Sequence, residues 1–150
     1  MLKGISPLIT PDLIKLLMEM GHDDSLVLAD ANFTALSLGA GKPVLRLTGA
    51  SMFQVVKAIE PLLPLAADVA HPVAFMQVSD TAAPYRSALQ REVLGLLECG
   101  LLPNQKPEPL ERYAFYERVR SAYAIVLTGE MQPFGNFILR KGVIGENLRP

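Results

Sequence analysis

Apolar side chains recur along this chain in two rhythms. Leu13, Ile14, Leu17 and Met20 fall at helical spacing, whereas Leu26-Val27-Leu28-Ala29 is a short unbroken apolar run of the kind that fills a buried strand. The first helix is well punctuated. Thr10-Pro11-Asp12 supplies a cap, a proline at the first helical position and an acid in the first turn. Gly21 is placed to close that helix in a left-handed conformation, so His22 falls directly after a helix end, and the strand behind it ends at Asp30.

The alternation continues. Val44–Leu47 reads as a strand, and Ser51-x-x-Gln54 is a capping box opening a helix with Met52, Val55, Val56 and Ile59 on its apolar face until Pro61. Val73–Val78 reads as a third strand, followed by a long helix from about Ala83 to Glu98 that buries Leu89, Val93, Leu96 and Leu97. Residues 103–109 hold three prolines and read as a surface loop. Beyond it the pattern predicts a short strand at Leu110–Tyr113, a helix across Tyr116–Arg120, a strand at Ala124–Leu127, a turn at Thr128–Phe134 and a last strand at Phe137–Arg140. Such alternation predicts a single layered α/β domain over residues 1–150, with a mostly parallel central sheet flanked by helices.

Composition narrows the function classes. Half of the 150 residues are apolar, and 14 basic against 15 acidic side chains leave a net charge of −1. That balance builds no positive field for nucleic acid. No run approaches 18 uninterrupted apolar residues, and the first residues lack the apolar core of a signal peptide, so neither a membrane span nor export is expected. The lone Cys99 excludes an internal disulfide, fits a reducing compartment, and reads as a small buried residue at a helix end. So hydrophobic a chain of this size has apolar surface to spare for a subunit interface.

Candidate chemistry is sparse. Of the two histidines, His71 precedes a strand in Ala70-His71-Pro72 and reads as an ordinary loop residue. His22 stands at an element end with Asp23, Asp24 and Asp30 near in sequence. Spacing leaves two readings open, a solvated turn histidine or an acid/base pair with Asp30 at one rim of the sheet. Without a His pair or Cys cluster, no metal site is expected. Ser37–Lys42 has glycines and a lysine, but Pro43 follows where a phosphate loop needs Ser or Thr. Thr48-Gly49-Ala50-Ser51 reads as a capped helix start. Arg112 and Arg118 flank Tyr113, Phe115 and Tyr116, and Glu130 and Asn136 flank the turn Gln132–Gly135. Asn136, between a glycine and an apolar strand, is poised to present an amide donor and acceptor to a ligand.

Several segments together resemble the fucose-mutarotase/ribose-pyranase family, its fucose branch above all. They are Leu2-Lys3-Gly4-Ile5-Ser6-Pro7-Leu8, Glu19–Asp24 and Ala29-Asp30-Ala31-Asn32-Phe33 in the first part of the chain. Arg112–Arg118, Ile125–Glu130 and Gly135–Val143 follow in the second. The resemblance implies an α/β subunit of a closed ring, decameric in relatives, with a monosaccharide bound between neighbouring subunits. It implies a cytoplasmic isomerase that interconverts the anomers of L-fucose or a related sugar, with no cofactor, metal, nucleic acid or membrane. His22 falls on the family's proton donor, and Asp30, Arg112 and Phe134-Gly135-Asn136 fall on its sugar-binding positions. Phe134 departs from the tyrosine common in the family, and the 103–109 loop is longer and richer in proline. A non-catalytic sugar-binding or transport-accessory protein, a ribose-type pyranase and a purely structural ring protein are the alternative expectations.

Overall fold

A computed structural model describes residues 1–82 and 84–145. Six strands form one mixed sheet in the order β2-β5-β1-β6-β3-β4. They are β1 (Ser25–Ala29), β2 (Val44–Leu47), β3 (Val73–Met76), β4 (Glu108–Leu110), β5 (Ala124–Thr128) and β6 (Phe137–Arg140). The pairs β1–β5, β2–β5 and β3–β4 are parallel, while β6 runs antiparallel to both β1 and β3. A mostly parallel sheet was expected. The observed sheet carries one reversed strand, and it stands in the middle rather than at an edge.

Alternation along β1 explains the layering. Leu26 and Leu28 point into one core with the helices α1 (Pro11–Glu19), α3 (Met52–Ile59) and α4 (Ala88–Glu98). Val27 and Ala29 point into the other, beneath α2 (Ala35–Leu38) and α5 (Arg112–Arg120). Fully buried Phe137 fills the first core and Phe115 the second. Each such ring contributes about 1.5–3 kcal/mol by leaving water.

Two capped starts match their sequence signals. Thr10 Oγ1 accepts from the Leu13 N–H at 3.2 Å, and Ser51 and Gln54 exchange both bonds of a capping box. Other details differ. Helix α4 starts at Ala88, because Ser87 and Gln90 form a second capping box; Ala83, expected at its start, lies outside the described residues. The third strand stops at Met76. The fourth occupies Glu108–Leu110, with Pro109 tolerated on an edge strand, and α5 begins at Arg112. Cys99 is exposed at the end of α4. Gly21 is not left-handed; that conformation falls on Asp23, with φ 76°. The end of α1 needs no glycine, since Lys141 Nζ donates to the carbonyls of Leu17, at 2.7 Å, and Met20.

The central reversed strand organises the surface. Because β6 runs against its neighbours, the turn before it lies beside the carboxyl ends of β1 and β3. Its far end, Arg140-Lys141, meets the turn that carries His22: the Asp23 N–H donates to Lys141 O at 2.9 Å, and the Lys141 N–H to Asp24 O at 2.8 Å.

Candidate active site

Asp30 leaves the carboxyl end of β1 and is 4% exposed; Asn136, just before β6, is 2% exposed. The two face each other across the β1–β6 ladder and are joined twice. Asn136 Nδ2 donates to Asp30 Oδ2 at 2.8 Å, and the Asp30 N–H donates to Asn136 Oδ1 at 2.9 Å. The other carboxylate oxygen accepts from the Asn32 N–H at 3.0 Å. Burial pushes the Asp30 carboxyl above the usual aspartate range, opposed by the hydrogen bonds from Asn136 and from the backbone of Asn32 and Gly135, while the Glu130 charge pushes it up further. A buried carboxylate with remaining acceptor capacity suits a hydroxyl-bearing ligand.

The turn 132–136 is shaped for close approach. Phe134 is left-handed with φ 61°. A Cβ on Gly135 would stand 2.8 Å from Leu89 Cδ2 and 3.1 Å from the Gln132 carbonyl oxygen, so a side chain there forces Leu89 to shift. Gln90, fully buried at the first turn of α4, donates from Nε2 to Met76 O at 2.7 Å and to Phe134 O at 3.0 Å. That one amide fixes the turn against the end of β3. Its role was not anticipated; the spacing Ser87-x-x-Gln90 is the signal that marks it.

Arg112 stands at the first position of α5, whose N-cap Glu111 accepts from the Tyr113 and Ala114 N–H groups. Its guanidinium lies 5.3 Å from the Tyr113 ring centre and 5.6 Å from that of Tyr116. Tyr116 in turn meets Phe33 edge-on at 5.7 Å. Asp30, Arg112, Phe134 and Asn136 therefore line one open pocket of about 260 Å³, with Phe33 and Tyr116 as its aromatic wall. Of the polar lining residues, Asp30, Arg112 and Asn136 are candidates from the sequence and Asn32 is not. Tyr116 was read there as an aromatic anchor, and Phe33 carried no site signal beyond the matched segment.

His22 is elsewhere. It lies at the opposite end of β1, whose five residues alone span about 13 Å. The single-rim His22–Asp30 pair considered from spacing is therefore not formed within one chain. The exposed imidazole instead has Nε2 3.3–3.4 Å from the carboxylate of Asp68. Among the described residues no three His, Cys, Asp or Glu side chains gather to hold a metal ion, and no helix is long and apolar enough to cross a membrane.

A family model described as the RbsD / FucU transport protein family matches residues 3–144, nearly the whole chain. The chain belongs to the RbsD/FucU family. Solved structures of the family superpose closely on it. FucU from Bifidobacterium longum is 37% identical, with a TM-score of 0.85 over 95% of this chain and 100% of that one. The fucose mutarotase of Streptococcus pneumoniae, solved in complex with L-fucose, is 39% identical, with a TM-score of 0.85 over 96% of this chain and 100% of that one. Bacillus subtilis RbsD, solved with D-ribose, is 20% identical and shares the fold, with a TM-score of 0.74 over 97% of this chain and 100% of that one.

Proposed function

We propose that this RbsD/FucU family member is a sugar mutarotase, interconverting the α and β anomers of free L-fucose or a related monosaccharide without cofactor or metal. The observation that carries the reading is the Asp30–Asn136 pair, buried, doubly hydrogen-bonded and facing a pocket shared with Arg112 and Phe134. The fucose mutarotase with bound L-fucose, 39% identical, supports the choice of sugar.

Anomer exchange requires a proton to leave the anomeric hydroxyl and another to reach the ring oxygen as the bond from C1 to that oxygen breaks. The open-chain aldehyde then recloses on its other face. Asp30 accepts sugar hydroxyls and Arg112 donates to a sugar oxygen. Asn136 holds Asp30 and offers the second lone pair of its carbonyl. The Phe134 ring covers a C–H face of the sugar, without the hydroxyl that a tyrosine would bring.

His22 is the proton donor in this account, and it reaches the pocket from a neighbouring subunit of a closed ring. Two observations support that arrangement. His22 and Asp30 sit at opposite ends of the same strand, as a head-to-tail assembly requires. The pocket of one chain, about 260 Å³, also falls below the roughly 300–1,000 Å³ of complete small-molecule sites. Asp68 beside Nε2 orients the imidazole and leaves Nδ1 to face the substrate, where it carries a proton to donate only in the imidazolium form.

The family's own description, a transport protein family, favours a second reading: a sugar-binding accessory of transport without catalysis. Saturation-transfer proton NMR on the anomeric signals of L-fucose, with D-ribose in parallel, separates the two. Faster exchange on adding protein supports the mutarotase, and the sugar that responds names its class. Binding without acceleration of any sugar supports the accessory protein.

A further inference from the structure

A second polar cavity, of about 360 Å³, opens at the other end of the sheet from the Asp30 pocket. Arg118 and Ser121 come to it from the end of α5, Arg140 from β6, His71 from the loop before β3, and Asp23 from the turn after α1. Its size falls within the usual range for small-molecule sites, about 300–1,000 Å³.

Each charged group there is held by a partner that leaves part of it unused. Arg118 gives Nη2 to Glu108 at 2.9 Å, and among the described residues its Nε and Nη1 have no acceptor. Arg140 gives Nε to Asp23, and among the described residues its two terminal nitrogens have no hydrogen-bond acceptor. His71 Nδ1 lies 2.8 Å from Lys106 O, which places the proton on Nδ1 and leaves Nε2 as an acceptor in the neutral ring.

The adjacent C-terminus of α5 would ordinarily repel an anion. Here its carbonyls are occupied. Lys42 Nζ takes those of Val119 and Arg120, both at 2.7 Å, and the Ser121 hydroxyl takes that of Arg118 at 3.0 Å. The cavity thus offers guanidinium donors for an oxyanion, with the Asp23 carboxylate and His71 Nε2 as acceptors for hydroxyl groups. Pro72 and Ile138 form an apolar floor for C–H faces.

We propose that this cavity is a second binding site, taking a monosaccharide-sized polyol that carries one oxyanion, a sugar phosphate or a sugar acid. The cavity is separate from the Asp30 pocket of the same chain and lies at the end of the sheet that carries His22. An uncharged sugar lacks the group that the two arginines recognise.

The test is calorimetric titration of the full-length protein with glucose 6-phosphate, gluconate, inorganic phosphate and uncharged glucose. Saturable binding of a charged polyol is expected, weakened about tenfold or more in Arg118→Met and in His71→Gln, and unchanged in Asn136→Ala. The two charged polyols tell phosphate from carboxylate recognition. Arg118 is a half-exposed surface residue, so its loss leaves the fold intact, as an unchanged melting curve will check. Absence of binding by every anion overturns the proposal. So does binding abolished by Asn136→Ala and untouched by Arg118→Met, which would put the anion in the other pocket.

Discussion

Replacing Asn136 by alanine removes at once both bonds that it makes with Asp30, and the cost can be worked from the geometry. The bond at 2.8 Å is to a buried carboxylate, and the bond at 2.9 Å satisfies a buried backbone N–H. Losing a hydrogen bond to a charged group costs about 1.5–3 kcal/mol, and leaving a buried donor unpaired costs about 1–3 kcal/mol. Water entering from the open pocket replaces part of this, so the net loss expected is about 2–4 kcal/mol. The loss must also depend on pH. Burial holds the Asp30 carboxyl above its ordinary value in the folded chain, so folding binds its proton. Stability therefore falls as pH rises through the window between the ordinary value, about 3.9, and the raised one. The Asn136 bond opposes that rise, and removing it widens the window. Urea unfolding of both proteins at one subunit concentration, at about pH 3 and about pH 7, reads the effect. The deficit of Asn136→Ala should be larger at neutral pH. A deficit below about 1 kcal/mol at neutral pH, or one that is equal at both pH values, would refute the reasoning.

Three further outcomes are expected. Asp30→Asn keeps the shape but turns one of the two accepting carboxylate oxygens into an NH2 group that faces an N–H donor, so anomer exchange should collapse and the melting temperature near pH 7 should fall; a wild-type exchange rate removes the carboxylate from the site. Gly135→Ala places a methyl 2.8 Å from Leu89 Cδ2 and should cost about 1–3 kcal/mol with a loss of sugar affinity, both absent if the turn is soft. His22→Ala should lower the exchange rate by about 10²–10⁴ with an unchanged melting curve; a wild-type rate in His22→Ala removes the histidine from the mechanism.

Much of the architecture could be read along the chain wherever a side chain marks its own local job. Thr10 and Ser51 did so, because a cap is written in three or four consecutive residues. Helix α4 was placed five residues early, because the cap pair that opens it, Ser87 and Gln90, was not read as its start. Helix α2, only four residues long with no side-chain cap, carries no periodic signal. Cys99 was taken for a core residue, yet the helix ends there and turns it outward. The reversed β6 follows from long-range pairing with β1 and β3, which composition does not encode. For the same reason spacing marked the polar pocket residues only as types, and their grouping came from the family resemblance alone. Asp30 and Asn136 meet over 106 residues of separation, and His22, eight positions from Asp30, lies at the far end of the strand.

That separation sets up the most direct test of the central claim, a sugar site built from His22 of one subunit and Asp30 of the next. His22→Ala and Asp30→Asn chains, each inactive alone, are unfolded together in equal amounts, reassembled, and assayed for anomer exchange of L-fucose. If each site joins two subunits, random mixing restores both groups at about a quarter of the sites, and about a quarter of wild-type activity returns. If hybrid assemblies form, as judged by a mass tag on one variant, and activity stays at the level of the parents, the shared-site account is wrong.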